Sequence, residues 1–322
     1  MKAVRLHAFG GPDVLRLEEI PVPETRTDEV LVRVQAAGVN YIDIYQRTGL
    51  YKNPLPFGLG IEGAGIIECA GHETGFKQGT RVAWTQHPGA YAEFAAVPSW
   101  KVVALPDDVD SQSGAAALTQ GITAQYLCET TYPARLGDLA LVHAGAGGVG
   151  LLLIQLLKQK GATVYTTVST EQKAALAREA GADETILYTQ TDFAEAVRQF
   201  TNGKGVHVVY DSVGKATYEG SLNVLRPLGM LVLFGQSSGV VPPIDPLLLS
   251  QKGSLYLTRP SLGHYIADAA SFSNRATKVL NWVAQKTLKL RIERIYPLAE
   301  VAQAQRDLES RKTSGKLVVE IS

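Results

Sequence analysis

Cysteine is nearly missing from this chain: Cys69 and Cys128 are its only two in 322 residues. Two scattered thiols build neither a disulfide framework nor a cysteine-rich metal site, and both read as small buried apolar residues. Net charge is missing too, because 31 basic residues balance 31 acidic ones. No overall field draws the protein to nucleic acid or to an anionic membrane, so neither is expected as a partner, though a local basic pocket stays open to it. No apolar run approaches the roughly 18 residues of a spanning helix. The opening MKAVRLHAFGGPD has charges and a glycine turn where a secretory signal has an apolar core, and the expected location is the cytoplasm. Internal repeats and low-complexity tracts are lacking as well. What remains is the composition of a globular protein, 45% hydrophobic and long enough for two domains.

The most informative stretch is DLALVHAGAGGVGLLLIQ, Asp138 to Gln155. An apolar run leads into Gly145, Gly147, Gly148 and Gly150, and an apolar helical segment follows at once. Strand, tight turn and helix in that order are the setting in which a glycine cluster binds a dinucleotide. The first and third glycines are expected to let the backbone reverse and approach a pyrophosphate, and Gly150 to let the helix pack on its strand. Free N–H groups of the first helical turn, with the helix dipole, then face the phosphates.

Before this stretch the chain reads as β-rich. Alternating or turn-bounded runs at 2–6, 15–19, 29–36, 65–70, 81–84, 90–95 and 101–104 imply a small barrel or sandwich. Residues 39–51, VNYIDIYQRTGLY, break the alternation with hydrogen-bonding and aromatic side chains of the kind that loops display. Ser111 is read as the cap of a helix through Ala115 to Leu118, with a second helix over 121–129. From Leu139 onward strand and helix alternate, which predicts a doubly wound parallel sheet in an α/β fold. A helix over 265–286, a strand over 291–296, a helix over 298–310 and a strand over 316–321 are expected to return to the first domain. The domain plan is therefore 1–122 and 262–322 around a dinucleotide-binding domain at 123–261.

Selectivity between nucleotides is read some 20 residues past the glycines, where NAD-selective sheets place a carboxylate on the ribose. Here that place is Thr166-Thr167-Val168-Ser169-Thr170, with Lys173 following, which suits a 2′-phosphate. A lysine at contact gains about 4 kcal/mol gross at an effective dielectric of 20, and a carboxylate would lose as much. The alternative is that Lys173 is an ordinary solvated helix lysine.

Taken together, the chain resembles the medium-chain dehydrogenase/reductase superfamily, and within it the zinc-free quinone oxidoreductases of the zeta-crystallin group. The likeness rests on AAGVNYIDIYQRTGLY (Ala36 to Tyr51), HAGAGGVGLLLIQ (His143 to Gln155), VVYDSVG (Val208 to Gly214), FGQSSG (Phe234 to Gly239) and QKGSLYLTRPSL (Gln251 to Leu262). It implies a Rossmann domain beside a GroES-like β-barrel catalytic domain, NADPH as cofactor, a small-molecule quinone as substrate, and a homodimer joined through an exposed edge strand at 253–258. Where the zinc members carry a Gly-His-Glu motif this chain has Gly60-Ile61-Glu62, and His7, His72, His87, His143, His207 and His264 show no ligand spacing, so no metal is expected.

The resemblance further implies that Asn40 and Tyr45 lie at the quinone and nicotinamide, Asn40 as an amide donor and Tyr45 as a phenol able to donate or relay a proton. Asp43 would support them, Tyr51 and Arg259 would line the cavity, and Thr123 would face the cofactor. Gly147, Gly148, Val149 and Gly150 would hold the pyrophosphate, Ser169, Lys173, Tyr188 and Arg311 the 2′-phosphate, and Ser212, Phe234 and Ser237 the nicotinamide half. Plainer readings stay open: Asn40 as a turn residue, Tyr45 as a core aromatic, Asp43 as a helix cap, Arg311 as a surface arginine. Two other functions also stay open, an alkenal or enone double-bond reductase using the same cofactor, and an NADPH-binding structural protein like a crystallin.

Overall fold

A computed structural model describes residues 1–321 and divides them into two units, Met1–Ile122 with the chain from Tyr265 onward, and Thr123–His264. In chain order the first unit has β1 (Lys2–Leu6), β2 (Leu15–Glu19), β3 (Glu29–Val39), helix α1 (Tyr41–Arg47), β4 (Phe57–Gly58), β5 (Glu62–Ala70), β6 (Arg81–Thr85), β7 (Phe94–Pro98) and β8 (Val102–Ala104). Helix α2 (Ser111–Tyr126) follows. The second unit alternates β9 (Leu139–Val142), α3 (Gly148–Gln159), β10 (Thr163–Val168), α4 (Glu171–Glu179), β11 (Glu184–Leu187), α5 (Phe193–Phe200), β12 (Val206–Asp211), α6 (Tyr218–Asn223), β13 (Leu225–Leu233), α7 (Pro246–Gln251) and β14 (Tyr256–Thr258). After α8 (Leu262–Tyr265) the chain returns with α9 (Ala269–Ala284), β15 (Ile292–Pro297), α10 (Val301–Glu309) and β16 (Lys316–Glu320).

In the first unit β2-β1-β4 form a small antiparallel sheet, and a larger one runs β15-β16-β3-β5-β6-β8 with β7 also on β3. The alternation in EVLVRVQA turns Val30, Val32 and Val34 onto a core with Ile67, Trp84 and Tyr91 while Arg33 stays exposed. Each such aliphatic contributes about 1.5–3 kcal/mol by leaving water. In the second unit the order β11-β10-β9-β12-β13-β14 is wholly parallel, the doubly wound arrangement expected from the strand–helix alternation. A parallel sheet is covered on both faces, which is why its strands read as continuous apolar runs such as LALV.

Several elements differ from the sequence expectation. Residues 41–47, to which the sequence assigns no element, form a helix. The cap of α2 is Asp110, whose Oδ1 accepts the Ser113 N–H at 2.7 Å, and Ser111 instead donates to Gln35 Oε1 at 2.6 Å. The two short helices expected over 115–129 are one helix, ending in a π-turn over Leu127–Thr131. Gly121 does not break it: a Cβ there would meet Val279 Cγ1 at 2.5 Å, so the glycine serves the close approach of α9. Asp268 starts α9 by accepting the Ser271 N–H and so divides the long helix expected from Tyr265. Helix α7 was not expected at all; its signal is Asp245-Pro246, a cap followed by proline at the first helical position.

Candidate functional site

The glycine loop joins β9 to α3. Its left-handed residue is Ala144, φ 54°, and none of Gly145, Gly147, Gly148 and Gly150 has a positive φ. The glycines therefore serve close approach and not chain reversal, a correction to the expectation. A Cβ on Gly145 would overlap Thr166 Oγ1, and one on Gly150 would lie 2.5 Å from Ala144 O and 2.9 Å from Gly145 Cα. Gly147 caps α3 without a side chain, so the N–H groups of Gly148, Val149 and Gly150 have no acceptor in their own helix. That is a bare cradle of donors at a helix N-terminus, and a dinucleotide pyrophosphate fits it.

Sequence reasoning missed the side chain beneath this loop. His143 is buried with Nδ1 2.9 Å from Thr167 Oγ1 and Nε2 3.0 Å from Ser221 Oγ, which itself donates to Asp211 Oδ2 at 3.0 Å. Asp211 Oδ1 accepts the N–H groups of Val213 and Gly214 at 2.8 and 2.9 Å and so shapes the turn after β12. Burial holds the imidazole below its usual pKa, with Asp211 acting against it. The available signal was a lone histidine in an apolar strand next to the glycines.

The end of β10 carries hydroxyls and no carboxylate. Thr170 caps α4 by accepting the Lys173 N–H at 3.3 Å, which sets Lys173 in the first turn beside Ser169. Tyr188, after β11, is half exposed, and its N–H donates to Val168 O. The nearest acid, Glu171, is paired with Arg178. Ser212 and Phe234 follow β12 and β13, and the two loops are tied together, Phe234 N–H to Asp211 O at 2.9 Å and Ser237 N–H to Ser212 O at 3.2 Å. Thr123 is buried on α2, and Arg259 is exposed just past β14. Arg311 lies in the first unit after α10, at φ 58°, beside Tyr41.

Asn40 and Asp43 form a capping box on α1: the Asn40 N–H donates to Asp43 Oδ2 at 2.8 Å, and the Asp43 N–H donates to Asn40 O at 3.1 Å. The Asn40 side chain points inward, its Nδ2 donating to Gly38 O at 3.3 Å and Glu62 Oε2 at 3.0 Å, its Oδ1 accepting from Lys316 Nζ at 2.8 Å. Its two amide hydrogens are thus occupied within the unit, which corrects the expectation of a donor waiting for an acceptor. Tyr45 is half-buried, its ring 5.4 Å and edge-on from that of exposed Tyr51 and 6.1 Å from Tyr41.

Asp43 is fully buried and accepts from Tyr91 Oη at 2.8 Å; burial, above all, raises its carboxyl to about 6 from 3.8. The folded state then holds this proton more tightly than the unfolded chain. Its contribution to stability is full below pH 3.8 and is lost as pH rises through about 6. Urea titrations across that window should show the wild type losing roughly 2–3 kcal/mol more than Asp43→Asn. Parallel curves would refute the shift.

A zinc ion does not fit the residues present. Ile61 is apolar and buried, and Glu62 Oε2 is taken by Lys316 Nζ at 2.6 Å. Among the described residues no three His, Cys, Asp or Glu side chains gather to hold a metal, and no helix is long and apolar enough to cross a membrane.

Comparison with known proteins agrees with these features. Residues 26–107 match the alcohol dehydrogenase GroES-like domain, and residues 148–283 the zinc-binding dehydrogenase family. The chain is similar to a quinone oxidoreductase of Pseudomonas aeruginosa, 44% identical over 99% of both chains. It is also similar to a 2-haloacrylate reductase of a Burkholderia species, 39% identical over 98% of both. Among solved structures, Escherichia coli quinone oxidoreductase complexed with NADPH superimposes with a TM-score of 0.97 at 39% identity, over 99% of this chain and 100% of that one.

Proposed function

Because the chain belongs to the quinone oxidoreductases of the medium-chain dehydrogenase/reductase superfamily, we propose that it is an oxidoreductase reducing quinones with NADPH. The observation that carries the reading is the bare donor cradle at α3 with hydroxyls and Lys173, and no free carboxylate, at the end of β10. When bound, NADPH supplies the hydride. The chain's own residues do the rest. Gly148, Val149 and Gly150 hold the pyrophosphate; Ser169, Lys173 and Tyr188 hold the 2′-phosphate; Thr123, Ser212, Phe234 and Ser237 orient the nicotinamide half. Tyr45 and Tyr51 receive the acceptor, and Tyr45 Oη donates to its carbonyl oxygen. Asn40 and Asp43 hold α1 in place for them. A quinone needs no Lewis acid, since the charge it gains spreads over an aromatic ring, so hydrogen bonding and orientation suffice.

Steady-state NADPH oxidation with a para-quinone tests this reading; the absence of turnover above the uncatalysed rate would reject it. A second reading, reduction of a conjugated carbon–carbon double bond, is favoured by the likeness to the 2-haloacrylate reductase. The same assay with a 2-haloacrylate or a 2-alkenal in place of the quinone separates the two.

The assembly we propose is a homodimer. Among the described residues strand β14 pairs only with β13, and Tyr256, 57% exposed, stands on that edge of the parallel sheet. Sedimentation is expected to give twice the chain mass, and a monomer across a wide concentration range would sink the proposal.

A further inference from the structure

We infer that Lys316 is a positioning residue for the acceptor, acting through a buried triad with Glu62 and Asn40 that fixes the start of α1; this rests on the quinone reductase reading. Three neighbouring strands build the triad. The register pairs Leu317 with Val39 and Ala37 with Gly63, which sets Lys316 beside Asn40 and Glu62 beside Gly38. Lys316 Nζ donates to Glu62 Oε2 at 2.6 Å and to Asn40 Oδ1 at 2.8 Å. Glu62 also accepts from Asn40 Nδ2 at 3.0 Å and, through Oε1, from the Thr119 N–H at 2.6 Å. A Cβ on Gly38 would come within 2.6 Å of Glu62 Oε2 and 2.7 Å of Lys316 Cε, so the triad packs on bare backbone.

Both charged side chains are almost wholly removed from solvent, at 2% and 0%. A buried ion pair gains little stability over apolar groups of the same volume, so stability is a weak reason for its presence. Orientation is a stronger one. An amide has an acceptor end and a donor end, and Asn40 meets a pure donor at Oδ1 and pure acceptors at Nδ2, which admits one orientation. Its backbone N–H is meanwhile held by Asp43. The joint between β3 and α1 is thus clamped through side chain and main chain alike, and Tyr45 stands little more than one turn further on.

Lys316→Met alone leaves Glu62 buried without its counter-ion, so the neutral pair Lys316→Met with Glu62→Gln decides the matter. The double variant is expected to regain wild-type melting temperature and NADPH affinity, read by fluorescence titration, while its KM for a para-quinone stays raised about tenfold, because Asn40 Oδ1 has lost its donor. A quinone KM that returns with the melting temperature would reduce the triad to charge balance and overturn the inference. So would an NADPH affinity that falls as far as the quinone KM rises. Quinone turnover by the wild type, measured alongside, separates failure of this inference from failure of the proposed function.

Discussion

A Gly150→Val enzyme is expected to lose NADPH affinity by roughly a hundredfold or more, equivalent to about 2.7 kcal/mol, and its turnover at ordinary NADPH concentrations with it. The atoms a side chain would meet are Ala144 O at 2.5 Å and Gly145 Cα at 2.9 Å. Both are backbone and cannot swing aside as the end of a long side chain does. Relief requires α3 to move off the loop, and that carries the N–H groups of Gly148, Val149 and Gly150 away from the phosphates. Overpacking of this kind also costs about 1–3 kcal/mol of stability, so the fold is expected to survive with a lowered melting temperature. Fluorescence titration with NADPH and thermal unfolding, run side by side, give both numbers. Wild-type affinity in the valine variant would remove the close-approach argument for the whole loop.

Lys173→Ala should weaken NADPH by about 10- to 100-fold and leave NADH nearly unchanged. The gross attraction between an ammonium and one phosphate charge at contact is about 4 kcal/mol at an effective dielectric of 20. Lys173 is half-buried at the start of α4, and solvent screening there discounts that figure to about 1.5–3 kcal/mol. NADH lacks the group the lysine binds, so its affinity is the internal control. Equal losses for the two nucleotides would reject the assignment.

Legibility in the sequence followed distance along the chain. The parallel sheet was readable because its strands, and its helices other than α7, write their own pattern, apolar run or helical stripe, over a short local stretch. The expectation of NADPH rested on signals just as local, since Ser169 and Lys173 sit four positions apart. Helix α1 was harder: seven residues dense in tyrosine and isoleucine have weak helix propensity, and only Asn40 with Asp43 signals its start. What stayed invisible was made by residues remote from one another. His143 meets Ser221 across 78 positions, and Lys316 meets Asn40 across 276. Nothing local tells Asn40 that its amide will be claimed from within, so it read as a free donor. Glu62 likewise carried no role beyond its place in Gly60-Ile61-Glu62, because its partner Lys316 lies 254 residues away.

The place of β16 bears on how the protein is made. This strand comes last among those described, yet it sits inside the larger sheet of the first unit, between β15 and β3. The dinucleotide unit is continuous and has all its strands once β14 has been synthesised. The first unit, begun earlier, has β7 on residues 29–33 of that flank of β3, but its Ala36–Val39 end must wait for residues 317–320 to leave the ribosome. The residue that locks Asn40 is thus synthesised only after every strand of the nucleotide unit, which can complete its sheet first.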